Sequence, residues 1–344
     1  MPVARPKVFV VQPIMDVGRE ALEEFAEVEV HESERMIAKA DLIERVRDAG
    51  YIWMLGDTPI DAEVIEAAPE LKGIATMALF PNVVDVEAAT ARKLPVTVVP
   101  HVITKTTCDL TVAHILGCAW RLLEADRFTR DGRFHQEQST SFLTTGLEDK
   151  VVGMIGVGAI GTEIVKRVRT FDTEVIYTKR NRLSEDVERE LGATWIENLD
   201  ELLRRSDFVV LMTTYNESTH KLMGAREFEL MKPSAFFVNT ARGRIVDEPA
   251  LVEALRDGRI AGAGLDVYWT EPPIGEPAPS PELFELDNVI LTPHIGSATV
   301  DARTKMALAV VDNLRAMVAG ERAPNAVNPE VYGEAPIEQP DRIG

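Results

Sequence analysis

Short runs of apolar, β-branched residues alternate with amphipathic stretches of helical period along almost the whole chain, and no other feature limits its fold so tightly. Runs this short, interleaved with helices, make βαβ units and parallel sheets. In the first third they are Val8–Val11, Val28–His31, Ile52–Leu55, Ile74–Ala78 and Val96–Val99, with helical stretches at Gly18–Phe25, Lys39–Asp48 and Asp61–Ala68. One long helical pattern then runs from Lys105 to Arg130, with Leu110, Ala113, Leu116, Trp120 and Leu123 on one face and Asp131-Gly132 at its end. A second alternating series follows: Val151–Ile155, Glu174–Thr178, Phe208–Met212, Phe236–Asn239, Ala263–Val267 and Val289–Leu291, closed by a helix over Val300–Ala319. The length of 344 residues suits two domains at roughly 150 residues each. Breaks near Pro100 and Gly296 give the expected division: a discontinuous first domain of 1–100 and 297–330, a second of 101–296, and a loose tail over 331–344.

Hydrophobic residues make up 45% of the chain and charged residues 27%, as in soluble globular proteins. Two real cores are within reach, which excludes a mainly disordered chain. No apolar run approaches the roughly 18–20 residues of a membrane span, so no membrane association is expected. Val8-Phe9-Val10-Val11 is too short for a signal-peptide core and lacks a cleavage site. With 37 Lys+Arg against 56 Asp+Glu the net charge is −19. Such a surface repels phosphate backbones, so nucleic acid is not an expected partner. Cys108 and Cys118 lie at no metal-binding spacing and form no disulfide framework; no metal is expected, and a reducing, cytoplasmic setting is.

Gly156-Val157-Gly158-Ala159-Ile160-Gly161 follows the run Val151–Ile155 and precedes a helical pattern from Thr162 to Arg169. In that setting G-x-G-x-x-G signals dinucleotide binding: Gly156 for the tight turn, Gly158 for approach of the pyrophosphate, Gly161 for close helix–strand packing. The helix start, at Ala159 and Ile160, offers free N–H groups and a positive dipole end to the anion. An NAD site places Asp or Glu at the end of the next strand. Here Thr178 stands there, followed by Lys179, Arg180 and, beyond Asn181, Arg182. A hydroxyl with cations suits a ribose 2′-phosphate, so NADP(H) is preferred and NAD(H) possible; the bland alternative is a solvated basic turn.

Three further segments carry a resemblance: Asn239-Thr240-Ala241-Arg242-Gly243-Arg244-Ile245-Val246-Asp247, then Gly264-Leu265-Asp266-Val267-Tyr268 leading to Glu271-Pro272, and Pro293-His294-Ile295-Gly296-Ser297-Ala298-Thr299. With the glycine loop they make the chain similar to the D-isomer-specific 2-hydroxyacid dehydrogenases, most of all the NADP-dependent glyoxylate/hydroxypyruvate reductases. The resemblance implies two doubly wound α/β domains, a flavodoxin-like substrate domain and a Rossmann dinucleotide-binding domain, with a cleft between, and a homodimer. It implies reduction of a 2-keto acid to the D-2-hydroxy acid by hydride transfer. Arg242, Glu271 and His294 take the family's catalytic positions. Chemically, Arg242 can hold the carboxylate and polarise the keto oxygen, His294 suits a general acid, and Glu271 would raise its pKa and orient it. Cofactor contacts are expected from Thr213, Thr214, Thr240, Ala241 and Gly296, with Asp266 facing the nicotinamide carboxamide. Substrate contacts are expected from Ala78, Leu79 and Phe80 besides Arg242 and His294.

The chain departs from the pattern at several points. Phe80 stands where the substrate loop is expected to have glycine, and Pro81 has no N–H to donate. Met77, Leu79 and Phe80 either wall a pocket for a bulkier, more apolar substrate or pack into the domain core. Thr213-Thr214-Tyr215 replaces the family's more apolar loop, and His114 replaces an acidic residue of the interdomain helix. The proline-containing stretch after Glu271, through Pro279 and Pro281, and Trp269 could cover the cleft. His101, at the hinge, and His114 read as structural. Trp120 and Leu123 suit a dimer contact or an internal core. Leu79 in place of a lysine, Glu271 in place of a glutamine, and the absence of loop cations set the chain apart from phosphite, formate and 3-phosphoglycerate dehydrogenases. Two other functions remain open: a dinucleotide-sensing, corepressor-like binding protein, and a family dehydrogenase with a non-standard substrate.

Overall fold

The computed structural model describes residues 5–33, 35–56, 58–99, 102–135, 142–271 and 279–336. They fall into two compact units, one running to Ile103 and resuming at Ala298, the other spanning Thr104–Ser297. The expectations placed on Pro100, on His101 and on the stretch 272–278 lie outside the described residues, as does the end of the tail.

The first unit is built on β1 (Lys7–Val10), β2 (Glu27–Val30), β3 (Tyr51–Met54), β4 (Gly73–Thr76) and β5 (Val96–Thr97). They pair in parallel in the order β2-β1-β3-β4-β5. The reversal between β1 and β3 is the switch point of a doubly wound sheet. Helices cover both faces, so β3 and β4 are buried at every residue, which is why their sequences are apolar without alternation. Met77 is part of this core, packed with Val10, Trp53 and Val99. The helix Val300–Val318 returns to this unit. Two buried asparagines stitch the return: Asn313 donates to Val98 O at 3.3 Å, and Asn328 accepts from Val96 N at 2.9 Å and donates to Leu94 O at 2.9 Å.

The second unit holds β6 (Val151–Ile155), β7 (Glu174–Thr178), β8 (Ala193–Trp195), β9 (Phe208–Leu211), β10 (Phe236–Asn239), β11 (Gly262–Leu265) and β12 (Val289–Leu291). All pairs are parallel, in the order β12-β11-β10-β9-β6-β7-β8. This is the Rossmann order, reversing between β6 and β9, with one more strand at the β11 edge. The sequence reading missed β8, whose three residues after Gly192 are too few to show a pattern.

The long helix read over Lys105–Arg130 is two helices, Thr104–Ala119 and Leu122–Arg130. Arg121, at φ 49°, turns the chain between them. The apolar face is also corrected. Thr107, Thr111 and His114 point inward with Cys108, Ile115 and Cys118, whereas Trp120 and Leu123 are 51% and 47% exposed. The inward stripe is polar because it bonds to the ends of the neighbouring strands, as shown below. No helix of the described residues is long and apolar enough to cross a membrane.

Candidate active site

The parallel register of β10, β11 and β12 brings Asn239, Leu265 and Leu291 side by side. The residues that follow, Thr240–Arg242, Asp266–Glu271 and Thr292–Gly296, therefore emerge together at the carboxyl edge of the sheet, where doubly wound folds bind their ligands.

Each turn is fixed by a buried polar side chain. Asn239, 1% exposed, accepts from Ala241 N at 3.0 Å and donates to Arg242 O at 3.1 Å, so it wraps the turn that carries Arg242. The Arg242 side chain is exposed, with Nη1 on Ala241 O at 2.6 Å. Gly243 follows because no side chain fits: a Cβ there would lie 1.8 Å from Tyr268 O. The Arg242 turn thus rests directly on the backbone that leads to Glu271.

Glu271 uses both carboxylate oxygens. Oε1 accepts from Tyr268 N at 2.7 Å, and Oε2 lies 2.8 Å from His294 Nδ1. The ring's other nitrogen, Nε2, is left for a reacting partner. The Glu271 hydrogen bond raises the His294 pKa above its ordinary value, against partial desolvation. The charges of Glu271 and Asp266 add to the rise, and that of Arg242 opposes it. Glu271, Asp266 and Arg242 therefore all bear on the His294 imidazole.

His294 sits at φ 52°, a conformation that an L-residue keeps only when its surroundings impose it. Asp266 imposes it. At 1% exposure its Oδ1 accepts from Thr292 Oγ1 at 2.6 Å and from Ile295 N at 2.8 Å, and its Oδ2 accepts from Gly296 N at 3.0 Å. The sequence reading faced Asp266 toward a nicotinamide carboxamide. The structure turns this buried carboxylate into the 292–296 turn. The helix Thr104–Ala119 braces the same edge: Thr107 Oγ1 donates to Gly296 O at 3.2 Å, and the Thr111 and Thr240 hydroxyls lie 2.7 Å apart.

The glycine loop fits a dinucleotide. Gly156 takes φ 96°, and a Cβ there would stand 2.4 Å from Met212 O, so only glycine forms this turn. The helix Ala159–Val168 starts at Gly158 with no side-chain cap and no acid in its first turn, which leaves its N–H groups available to a pyrophosphate. Ile160 is half-buried, Gly161 buried and Ala159 exposed. Thr213 and Thr214 are half-buried beside this loop, beyond Met212.

The basic turn after β7 divides in two. Thr178 ends the strand, half-buried, and Arg180 is exposed. Lys179 folds back to donate to Val157 O at 3.0 Å, and burial lowers its pKa. Arg182 pairs with both oxygens of Glu188, at 2.8 and 2.7 Å, and covers the Trp195 ring at 5.2 Å. Two of the three cations read as phosphate ligands thus shape the turn itself.

Ala78, Leu79 and Phe80 belong to the first unit, beyond the end of β4, and all three are half-buried. Trp269 lies near His220, ring centroids 5.6 Å apart, and under Lys221 at 5.1 Å; Tyr215 Oη lies 3.2 Å from His220 Nδ1. Sequence reasoning missed Asn239 as a turn-former and missed Glu248, whose carboxylate accepts from Trp269 N at 2.9 Å and Ser280 N at 3.2 Å. Neither stands out in sequence, because an asparagine at a strand end and an acid at a helix start are both ordinary.

A family model described as D-isomer specific 2-hydroxyacid dehydrogenase, NAD binding domain, matches residues 112–296. A glyoxylate reductase of Thermococcus litoralis is 40% identical over 336 residues, covering 96% of this chain and 99% of its own. Among solved structures, a protein of Thermus thermophilus aligns with a TM-score of 0.86 and 37% identity over 93% of this chain and 99% of that one. An NADPH-dependent glyoxylate/hydroxypyruvate reductase of Sinorhizobium meliloti, in complex with NADP and malonate, aligns with a TM-score of 0.79 and 31% identity over 94% and 97%.

Proposed function

The chain belongs to the D-isomer specific 2-hydroxyacid dehydrogenases, and from that premise we propose that it reduces glyoxylate and hydroxypyruvate with NADPH in preference to NADH, as a cytoplasmic homodimer. It is an NAD(P)-dependent oxidoreductase acting on CH–OH groups. The observation that carries the mechanism is the 2.8 Å pair of Glu271 and His294 beside Arg242. The bound nicotinamide supplies the hydride. Arg242 holds the substrate carboxylate and draws electron density toward the keto oxygen. His294 carries a proton on Nε2 in its charged form, held by Glu271, and delivers it to that oxygen. Glu271 keeps the ring oriented through its 2.8 Å contact with Nδ1.

The preference for NADPH rests on the end of β7, where Thr178 stands in place of an acid and Arg180 follows. Thr178 and Arg180 bind the 2′-phosphate, while Lys179 and Arg182 hold the turn that presents them. The dimer rests on exposed apolar residues around one short stretch, Trp120, Leu122, Leu123 and Leu143, where Arg121 bonds to Leu143 O. The cytoplasmic setting rests on the two free, buried thiols. The deciding experiment follows reduced-nicotinamide absorbance with NADPH and NADH against glyoxylate, hydroxypyruvate, pyruvate and phenylpyruvate. Fast NADPH turnover of the two small acids is expected. Turnover of phenylpyruvate alone would make Leu79 and Phe80 the walls of a larger pocket, and cofactor binding without turnover would favour the sensor reading.

A further inference from the structure

We propose that His114 is a positioning residue for the reaction: through the Thr292 hydroxyl it locks Asp266 onto the turn that presents His294. This rests on the reading of His294 as the proton donor. His114 lies on the inward stripe of the helix Thr104–Ala119 and is 2% exposed. It reaches the sheet edge because β11 gives way there: a Cβ on Gly264 would stand 2.8 Å from His114 Cβ. Its Nε2 lies 3.1 Å from Thr292 Oγ1, and that hydroxyl lies 2.6 Å from Asp266 Oδ1. From there the path runs directly to the turn, through Ile295 N and Gly296 N.

The direction of these bonds follows from proton counting. Thr292 has one hydroxyl proton. Asp266 accepts backbone N–H groups on both oxygens, so the hydroxyl donates to it as a charge-assisted bond. Thr292 Oγ1 must then receive, and His114 Nε2 is the donor. That leaves Nδ1 unprotonated; it is buried beside the Gly264 backbone and makes no hydrogen bond of good geometry. The 2.6 Å contact to the carboxylate, shorter than the 3.1 Å contact to the imidazole, places the hydroxyl proton on the Asp266 side. Burial keeps the imidazole neutral by lowering its pKa, against the opposing pull of Asp266 and the Gly264 carbonyl. Cys108 and Cys118 share the helix but are neutral thiols, their pKa values pushed by burial to about 11 and about 12. Asp109 on the outer face pairs with Arg167 at 3.1 Å. His114 is thus a fixed, uncharged donor that holds the orientation of the Thr292 hydroxyl.

The test compares His114→Leu, His114→Gln, Thr292→Val and the His114→Leu/Thr292→Val double variant, with His294→Ala as reference, in steady-state NADPH oxidation with glyoxylate. Leucine fills the space without a donor; glutamine returns an N–H at about the reach of Nε2. His114→Leu is expected to lower kcat about tenfold with KM for NADPH within about twofold, the size of one lost hydrogen bond. His114→Gln is expected to recover most of that loss, and the double variant to be no slower than Thr292→Val alone. Nitrogen-15 spectra of the histidines are expected to show His114 neutral with its proton on Nε2. Wild-type kcat in His114→Leu, no rescue by glutamine, additive losses, or a proton on Nδ1 would each overturn the proposal. If His114→Leu fails to fold, Thr292→Val, the glutamine variant and the spectra decide it. Full activity in His294→Ala would sink the proton-donor reading and the relay with it; an inactive His294→Ala beside a wild-type His114→Leu sinks the relay alone.

Discussion

Gly243→Ala tests whether the Arg242 turn and the Glu271 loop act as one body. The new Cβ would lie 1.8 Å from Tyr268 O, 1.9 Å from Tyr268 C and 2.7 Å from Trp269 N. All three are backbone atoms, so no side chain can rotate away. Bringing the nearest pair to a tolerable distance of about 3 Å parts the two loops by about 1.2 Å, and displacement near 1 Å at a catalytic constellation costs on the order of a hundredfold in rate. The movement has nowhere harmless to go. Tyr268 N holds Glu271, and Trp269 N is held by Glu248, so it passes into the carboxylate that orients His294. A hundredfold loss corresponds to about 2.7 kcal/mol of transition-state stabilisation. Overpacking also destabilises by about 1–3 kcal/mol, a fall of roughly 2–12 °C in Tm for a domain of this size. The assay is kcat for glyoxylate reduction, with the NADPH Kd and thermal melting measured on the same preparation. A folded variant with kcat within about twofold of wild type would refute the claim that these loops are rigidly joined.

Arg242→Ala is expected to lower kcat/KM for the keto acid by about a hundredfold or more while the NADPH Kd holds, measured by turnover and by cofactor fluorescence. Glu271→Gln removes the group that raises the His294 pKa. Because the protonated ring is the donor, reduction then fails from a lower pH upward, and an unmoved alkaline limb in the pH–rate profile would count against the assignment. Arg180→Ala is expected to raise the NADPH KM about tenfold or more and leave NADH unchanged, since only NADPH carries the extra phosphate. Trp120→Asp should halve the mass seen by sedimentation at micromolar protein if the exposed apolar stretch joins two copies.

The strands were legible because parallel strands buried on both faces must be apolar throughout: β6, β7, β10 and β12 begin and end where the sequence places them. The family resemblance named Arg242, Glu271 and His294, and the structure sets Glu271 against His294. Other features leave no trace in periodicity. The helix over Thr104–Ala119 turns a polar stripe inward, since Thr107, Thr111 and His114 find partners on strands far away in sequence. A pattern of apolar spacing pointed to the opposite face. Lys179 and Arg182 matched a phosphate site by charge alone, and their partners Val157 O and Glu188 are invisible in the linear pattern. The bonds that tie Asp266 to Ile295 N and Gly296 N depend on the turn that folds over it, and the linear pattern does not show them.

Glu248 ties two separated points of the chain to one carboxylate. Its two oxygens hold Trp269 N and Ser280 N, at the start of the helix Glu248–Arg256. Glu271 is already tied to Tyr268 before the chain moves on. Glu271 itself lies between those two points, so loss of the Glu248 carboxylate would loosen the backbone beside the group that holds His294.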